Sequence, residues 1–218
     1  MFQRPNDSGK SPTQPASAIR GCVFMSRFAY SGVPVVITDA MVNWTAPDVF
    51  SLDFFRSIYL GRSHGDDDDC QFFPYTSGFH SLGDALAMSD LEAESRPWYI
   101  GWSNCDPRVA AELRRHYQRP YFLPALSEGS RLDWIFMGRP GHGAKMHIDH
   151  VGNPSWQAQV RGSKRWRLEP PGECFMECVP LEVGLYPGDV IVVDTNLWFH
   201  ETLILGGDLS ITIGSEFD

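Results

Sequence analysis

The sequence predicts a mainly β fold of jelly-roll or small-barrel type, with its helices in the first half of the chain. From Leu132 onward, eight short segments with apolar alternation are separated by turns rich in Gly and Pro. Upstream, segments with helical spacing follow capping serines such as Ser51 and Ser81. The 218 residues are 43% hydrophobic and 13% aromatic, which is enough for one sizeable core. A single domain over residues 19–218 is therefore predicted.

The first half of the chain divides into a tail and a helix-rich region. Residues 1–18 are rich in Pro, Ser, Gln and Asn with few apolar anchors, so a disordered tail is predicted. The helix-rich region covers about residues 19–131. The predicted helices are 51–60, 81–88 and 107–117, and the predicted strands are 32–37, 71–73 and 98–102. The last of these carries aromatic residues on both faces, which predicts burial of both faces.

The second half, about residues 132–218, is predicted to be the jelly-roll core. Turn formers bound every segment, as in Gly162-Ser163 and Pro187-Gly188-Asp189. The predicted strands are 134–137, 144–149, 155–160, 164–168, 182–186, 190–194, 199–205 and 209–214.

Charge and hydropathy exclude several classes of protein. The net charge of −9 and the isoelectric point near 5.2 argue against nucleic acid as a partner. No run approaches the roughly 18 apolar residues that a membrane helix needs, and no signal peptide is apparent. The acidic run Asp66–Asp69 lacks the alternation of a calcium loop, so a solvated acidic loop is predicted.

The five cysteines show no secreted disulfide pattern. Cys174 and Cys178 are four residues apart, but no second pair stands at a spacing that would complete a zinc site. Free thiols in a reducing compartment, cytoplasmic or nuclear, are the prediction.

A candidate metal site begins with His147 and Asp149. In a strand, residues two apart project from the same face, so this imidazole and this carboxylate share one face. His200 follows the strand predicted at 190–194, and late strands of a jelly roll return beside early ones. Two histidines and one carboxylate form a facial triad that leaves positions open on Fe(II).

Other nearby ionisable residues are excluded from this triad by parity. His150 directly follows Asp149 and Glu201 directly follows His200, so each faces away from the predicted ligands. His142 lies in a glycine-rich loop. The alternative is that the His-x-Asp pattern occurs by chance.

Lys164 and Thr212 are candidates for binding a carboxylate near the metal. Lys164 shares a strand face with Trp166 and Leu168, which is unusual for a lysine unless that face lines a pocket. An ammonium there can anchor the far carboxylate of a dicarboxylate co-substrate. Thr212 lies on a small polar face with Ser210 and Gly214, which suits a carboxylate or solvent equally.

The chain resembles the JmjC and cupin-like family of Fe(II)- and 2-oxoglutarate-dependent oxygenases, in its hydroxylase-type branch. The similarity runs over most of residues 30–218. The motifs that carry it are His147-Ile148-Asp149, Gly162-Ser163-Lys164-Arg165-Trp166, Pro187-Gly188-Asp189-Val190, Trp198-Phe199-His200 and Ser210-Ile211-Thr212-Ile213. The resemblance implies a double-stranded β-helix, of the jelly-roll or cupin-like kind, with the helices packed outside.

The resemblance also implies roles for individual residues. His147, Asp149 and His200 would bind Fe(II), and Lys164 would pair with the C5 carboxylate of 2-oxoglutarate, assisted by Thr212. Gln157 stands where relatives often carry an Asn that touches the co-substrate, and Tyr99 is the first choice for an aromatic residue lining the pocket. Ala144 departs from the Thr of some relatives, so that hydroxyl contact is absent or replaced.

The implied activity is a dioxygenase that hydroxylates a protein side chain, consumes dioxygen and releases succinate and carbon dioxide. Three alternatives stay open: N-methyl demethylation of histone or another protein, a cupin-like module that binds metal and carboxylate without turnover, and a cupin that uses the metal without 2-oxoglutarate. Relatives commonly continue into C-terminal helices that dimerise, so the oligomeric state is open. The sequence does not identify the substrate.

Overall fold

Two antiparallel sheets face each other in a computed structural model, which describes residues 21–60 and 70–218. The predicted tail at 1–18 and the acidic run Asp66–Asp69 lie outside the described residues. The strands are β1 (Val35–Ile37), β2 (Phe72–Phe73), β3 (Tyr99–Asn104), β4 (Asp133–Gly138), β5 (Ser155–Arg161), β6 (Ser163–Glu169), β7 (Leu181–Leu185), β8 (Val190–Val193), β9 (Phe199–Leu205) and β10 (Ser210–Glu216).

The larger sheet has the order β1-β8-β5-β10-β4-β3-β2, and the smaller has the order β7-β6-β9. Strands distant in sequence, such as β1 and β8, lie side by side, as in a jelly roll. Seven of the eight strands predicted after Leu132 are present. The eighth, at 144–149, is an extended segment that pairs with β9 through one isolated bridge, between His147 and His200. The mainly β fold class is confirmed.

The helices of the described residues are short. They are α1 (Gly21–Phe24), followed by a π-helical turn (Met25–Ala29), α2 (Ala46–Val49), α3 (Leu52–Tyr59), α4 (Leu82–Leu86), α5 (Asp90–Ser95) and α6 (Pro107–Leu113). The serine caps behave as predicted: Ser51 Oγ accepts a hydrogen bond from the Phe54 N–H, and Ser81 Oγ accepts one from the Asp84 N–H. None of these helices has the length and apolar character that crossing a membrane requires.

The main core lies between the helices and the outer face of the larger sheet. Buried residues of α3 such as Phe55 share this cluster with Ile135, Val160 and Ile213 from three strands. Every residue of β3 is buried, in agreement with the prediction for this strand. Because the helices cover the outer face, the inner face of the larger sheet is left to line the space between the two sheets.

The cysteines correct the prediction of free thiols. Cys70 is bonded to Cys105 and Cys174 to Cys178, so that prediction is wrong for these four residues. Cys70 precedes β2 and Cys105 follows β3, and the antiparallel pairing of these strands brings the two thiols together. Sequence spacing could not reveal this pair, because the contact depends on a non-local strand pairing.

Candidate active site

Three side chains predicted as metal ligands lie together at the mouth of the space between the sheets. His200 is on β9, and the extended segment carrying His147 and Asp149 runs antiparallel beside it. The His147 N–H donates to the His200 carbonyl (3.1 Å), and the His200 N–H donates back (2.8 Å). Gly143 permits this close approach, because a Cβ there would lie 1.8 Å from the Thr202 carbonyl oxygen.

The geometry of the cluster suits a metal ion. Asp149 lies between the two imidazoles, 3.4 Å from His147 Nε2 and 3.6 Å from His200 Nε2. Ligands about 2.1 Å from a metal and at right angles to each other lie about 3 Å apart, so little movement is needed. The other ring nitrogens are engaged: His147 Nδ1 lies 2.7 Å from the Lys145 carbonyl oxygen, and His200 Nδ1 lies 3.1 Å from that of Trp198. These contacts orient Nε2 toward the metal position.

The electrostatics of the cluster also favour a cation. Burial opposes ionisation of Asp149, but its contacts with His147 and His200 lower its pKa below the usual value. The hydrogen bond with Asp149 raises the pKa of His147, while burial and the neighbouring His147 lower that of His200. A carboxylate with two imidazoles and open positions is the donor set that Fe(II) takes in facial-triad sites, so the residues fit this ion.

The two residues excluded by parity lie outside the ligand cluster. His150 is exposed, although it also lines the cavity, and Glu201 pairs with Arg167 at 3.7 Å on the outer side of β9. Within the described part of the chain, His147, Asp149 and His200 form the one group with suitable atoms close enough to share a metal, all within 4.8 Å of one another.

Lys164 is fully buried on the inner face of β6, in a polar network at the closed end of the same space. Its Nζ donates to Thr212 Oγ1 (2.8 Å) and to Tyr99 Oη (3.2 Å), so the structure brings together three of the predicted residues. Burial lowers the pKa of Lys164 to about 7 and raises that of Tyr99. An ammonium has three hydrogens, and these two contacts use two of them.

Gln159 completes this network, although it is not among the site residues predicted from the sequence. Its Oε1 accepts a hydrogen bond from Thr212 Oγ1 (3.1 Å). Its Nε2 donates to the Arg161 carbonyl (2.7 Å) and to Ser210 Oγ (2.9 Å). Because the Thr212 hydroxyl donates its hydrogen to Gln159, its oxygen is free to accept the hydrogen bond from Lys164. A register shift between β5 and β10 sets Gln159 opposite Thr212.

The cavity that reaches from the metal cluster toward this network has a volume of about 410 Å³. Tyr99, Ala144 and Thr202 line its inner end, so the Tyr99 hydroxyl stands between the cavity and the buried Lys164 ammonium. A carboxylate that pairs with Lys164 must therefore displace or share this hydroxyl. Gln157 lines the cavity from β5, and no side-chain hydrogen bond to another of the described residues fixes it there. Ala144 supplies no hydroxyl, but its N–H donates to Thr202 Oγ1 (3.0 Å).

Aromatic residues line one wall of the cavity. Phe73, Trp134, Phe136 and Tyr99 follow one another at centroid distances of 6.1–6.5 Å, with interplanar angles of 13–21°. Tyr75 packs against Tyr99 at 4.8 Å and is the one non-glycine residue with positive φ in the described ranges. Such strained backbone is often found at functional sites.

Comparisons with known proteins identify relatives of this chain and solved structures with a similar fold. No family model matches it. It is similar to the arginine-specific demethylase JMJ22 of Arabidopsis thaliana, with 30% identity over 229 residues, covering 87% of this chain and 43% of that protein. It is also similar to the bifunctional arginine demethylase and lysyl-hydroxylase psr-1 of Caenorhabditis elegans, with 26% identity over 157 residues, covering 68% of this chain and 38% of that protein. The chain thus spans about two fifths of the length of these relatives.

Among solved structures, YcfD, a ribosomal oxygenase from Escherichia coli, aligns with a TM-score of 0.58 and 19% identity, covering 89% of this chain and 50% of that one. At this identity the likeness concerns the fold, and it supports the jelly-roll architecture predicted from the strand pattern.

Proposed function

Because the chain belongs to the JmjC and cupin-like family of Fe(II)- and 2-oxoglutarate-dependent oxygenases, we propose that it oxidises a protein side chain, with hydroxylation as its main reaction. One observation carries the proposal. A candidate facial triad and a buried lysine network lie at two positions of the same inter-sheet space. A metal site alone would need no cation behind it, whereas a dicarboxylate co-substrate needs both.

The residues of the chain have separate tasks in this proposal. His147, Asp149 and His200 would hold Fe(II) from one side and leave its other positions to ligands in the cavity. Lys164 would pair with the C5 carboxylate of 2-oxoglutarate, with Thr212 and Tyr99 sharing its hydrogen bonds. When bound, Fe(II) and 2-oxoglutarate supply the oxidising chemistry, in which dioxygen is consumed and succinate and carbon dioxide are released.

The protein around the site contributes orientation and exclusion of water. The backbone carbonyls of Lys145 and Trp198 hold the two imidazoles in place. The aromatic wall keeps the cavity largely apolar, which strengthens electrostatic interactions inside it. Gln157 is proposed to contact the co-substrate from β5, since its side chain lines the cavity and forms no hydrogen bond with the rest of the described chain.

N-demethylation is a second candidate, because both named relatives include demethylase activity on arginine in their descriptions. The same oxidation directed at an N-methyl group would lead to loss of that methyl group. The two reactions differ in which atom of the substrate lies next to the triad, and they give different products: a gain of one oxygen atom or a loss of a methyl group.

The proposal is tested by anaerobic loading with Fe(II), addition of 2-oxoglutarate and oxygen, and measurement of succinate. The expected result is slow succinate formation without any protein substrate, and its loss in His147→Ala. Glu201→Gln is the matched control, because Glu201 neighbours a triad residue but faces outward. Succinate formation no faster than in His147→Ala would contradict the proposal.

A further inference from the structure

A disulfide bond holds one wall of the cavity in place, between Cys70 and Cys105. We propose that this bond is a reversible modification site. A protein of the dithiol reductant class cleaves it and releases the wall segment (residues 71–75), and reoxidation fixes the segment again. This role concerns the shape of the cavity and does not require the proposed oxygenase activity.

The wall segment supplies three side chains to the cavity. Gln71, Phe73 and Tyr75 alternate along the segment, and all three line the cavity. Phe73 stacks on Trp134 with a centroid distance of 6.1 Å. Tyr75 packs against Tyr99 with a centroid distance of 4.8 Å. Because β2 is an edge strand of the larger sheet, the position of these rings depends on how firmly the segment is held.

Few non-covalent contacts hold the segment at the end next to Cys70. β2 has only two residues, Phe72 and Phe73, and it pairs with β3 alone. Beyond this ladder, the Ser103 N–H donates to the Gln71 carbonyl (3.0 Å), and Ser103 Oγ accepts from the Gln71 N–H (2.9 Å). A strand of two residues is shorter than stable strands usually are. Among the described contacts at this end, the covalent bond is therefore the strongest restraint.

The other end of the segment is attached independently of the disulfide. Ser77 lies two residues beyond the segment, and its hydroxyl accepts from the Tyr99 N–H and donates to the Tyr99 carbonyl, both at 2.7 Å. Between the two attachments, Tyr75 has a φ of 49°, which is strained for a residue other than glycine. Reduction would release the segment at Cys70 and let this strain relax, while Ser77 keeps the far end in place.

The surroundings of the bond favour its reduction. Cys70 is exposed, whereas Cys105 is half-buried, so a reductant can reach the Cys70 sulfur. Exposed disulfides are more readily reduced than buried structural ones. A fold also protects a disulfide to the extent that it holds the two cysteines together in the absence of the bond, and this effect is reciprocal. A two-residue strand adds little protection of this kind.

The chemistry is thiol–disulfide exchange. A thiolate of the reductant attacks the Cys70 sulfur, the bond between the two cysteines breaks, and Cys105 leaves as a thiolate that takes up a proton. The second thiol of the reductant then attacks the mixed disulfide and displaces Cys70, which also takes up a proton. Two electrons and two protons have then passed from the dithiol to the two cysteines, and the reductant has become a disulfide.

The second disulfide provides a matched control. Cys174 and Cys178 are four residues apart in one turn, and the Cys178 N–H also donates to the Cys174 carbonyl (2.7 Å). Neither cysteine is among the residues that line the cavity. Because this bond joins residues of a single turn, its reduction should leave the cavity wall unchanged.

The test follows amide hydrogen exchange by mass spectrometry before and after treatment with thioredoxin, thioredoxin reductase and NADPH. Alkylation identifies which cysteines have been reduced. In the wild type, reduction should raise the exchange rate of the amides at 71–73 about tenfold or more, because this end of the segment then opens locally. The amide of Tyr99, which Ser77 holds, should stay protected.

Two double variants separate the disulfides. Cys174→Ser/Cys178→Ser should respond to thioredoxin as the wild type does. Cys70→Ser/Cys105→Ser should exchange rapidly at 71–73 both before and after treatment. In the absence of thioredoxin, this variant should also form about threefold less succinate than the wild type before its activity ceases, because a released wall admits water to the cavity.

Three results would overturn the proposal: a bond between Cys70 and Cys105 that persists after thioredoxin treatment, exchange at 71–73 that is unchanged by reduction, or a rise that extends equally over β5 and β10. The last result would show that the bond stabilises the whole fold rather than the wall. The proposed function fails separately: if no succinate is formed by any of these proteins, hydrogen exchange still decides whether the wall responds to reduction.

Discussion

The two ends of the cavity have opposite electrostatic character. At the inner end the ammonium of Lys164 is fully buried and hydrogen-bonded to neutral hydroxyls, so this end lacks an anion. At the outer end the carboxylate of Glu216 is buried and accepts a hydrogen bond from the neutral indole N–H of Trp134, and no Lys or Arg of the described residues forms an ion pair with it. The triad lies toward the outer end as well, on β9 and the extended segment beside it.

This difference determines which end of the cavity can receive the co-substrate. The inner end suits a small dianion, whereas the carboxylate at the outer end would repel it, because like charges in a cavity of low dielectric constant interact strongly. At the inner end, Gln159 and Thr212 hold Lys164 through a continuous hydrogen-bond network.

The largest expected effect comes from removing the charge at the inner end. Lys164→Met keeps an unbranched side chain but cannot pair with a carboxylate. We expect the concentration of 2-oxoglutarate for half-maximal succinate formation to rise about tenfold to a hundredfold, corresponding to a charge-assisted hydrogen bond.

Although Lys164→Met should weaken the binding of 2-oxoglutarate, it should not lower the stability of the protein. Because the variant removes a buried charge without a counterion, its unfolding temperature should equal or exceed that of the wild type. Arg165→Met is the control, since Arg165 is the next residue on β6 and faces away from the cavity. An unchanged requirement for 2-oxoglutarate in Lys164→Met would show that the anchor lies elsewhere.

The pH dependence of co-substrate binding should report the same charge. Burial lowers the pKa of Lys164 to about 7. Below this pH the ammonium is already charged, whereas above it the binding of a carboxylate requires uptake of a proton. The apparent affinity for 2-oxoglutarate should therefore fall about tenfold for each pH unit above 7. Calorimetric titrations at pH 7 and 8.5, in buffers with different ionisation enthalpies, measure both the affinity and the proton uptake.

The free protein should show the linked effect on stability. Between pH 7 and the usual pKa of lysine, the unfolded chain binds the proton and the folded chain does not, so the free energy of unfolding attributable to Lys164 rises with pH in this window. Lys164→Met should lack both this effect and the pH dependence of binding. Equal affinity of the wild type at pH 7 and 8.5 would contradict the assignment.

A smaller effect is expected from Gln159→Met, which removes the acceptor of the Thr212 hydroxyl. The freed hydroxyl can then rotate away from Lys164, so we expect the requirement for 2-oxoglutarate to rise about threefold to tenfold. Stability should fall by about 1–3 kcal/mol, because Ser210 and the Arg161 carbonyl lose a buried partner. Denaturant unfolding and succinate kinetics measure the two quantities. Normal kinetics with reduced stability would reduce Gln159 to a purely structural role.

The smallest expected effect concerns the outer end. Trp134→Phe keeps an aromatic ring but removes the N–H that directs Glu216. The free energy of unfolding should fall by about 0.5–1.5 kcal/mol in denaturant titrations, because a buried hydrogen bond is lost, while the requirement for 2-oxoglutarate stays the same. A change in the 2-oxoglutarate requirement instead would show that the two ends of the cavity are not independent.

The inner end was more predictable from the sequence than the outer end, and strand parity explains why. The parity of 164, 166 and 168 on β6 selected Lys164, and the parity of β10 selected Thr212. The same rule would have selected Gln159 beside Gln157 on β5. It would also have selected Glu216, but the predicted strand ended at residue 214, two residues short of that carboxylate.

Contacts between strands that are distant in the chain could not be predicted from the sequence. The segment 144–149 was predicted to be a strand, yet it pairs with β9 through the isolated bridge between His147 and His200, and consecutive residues of it, from His147 to His150, line the cavity. The disulfide between Cys70 and Cys105 and the contact of Trp134 with Glu216 both arise from strands distant in the chain. Local patterns specify which face a side chain takes, and the sheet order specifies what it meets there.

The most direct measurement is a crystal structure of the protein with Mn(II) and 2-oxoglutarate, with the metal bound by His147, Asp149 and His200. We expect the C5 carboxylate to lie about 3 Å from Lys164 Nζ, with the Tyr99 hydroxyl displaced or shared, and Glu216 to make no contact with the co-substrate. A carboxylate bound away from Lys164, or a metal held by other residues, would contradict the central claim.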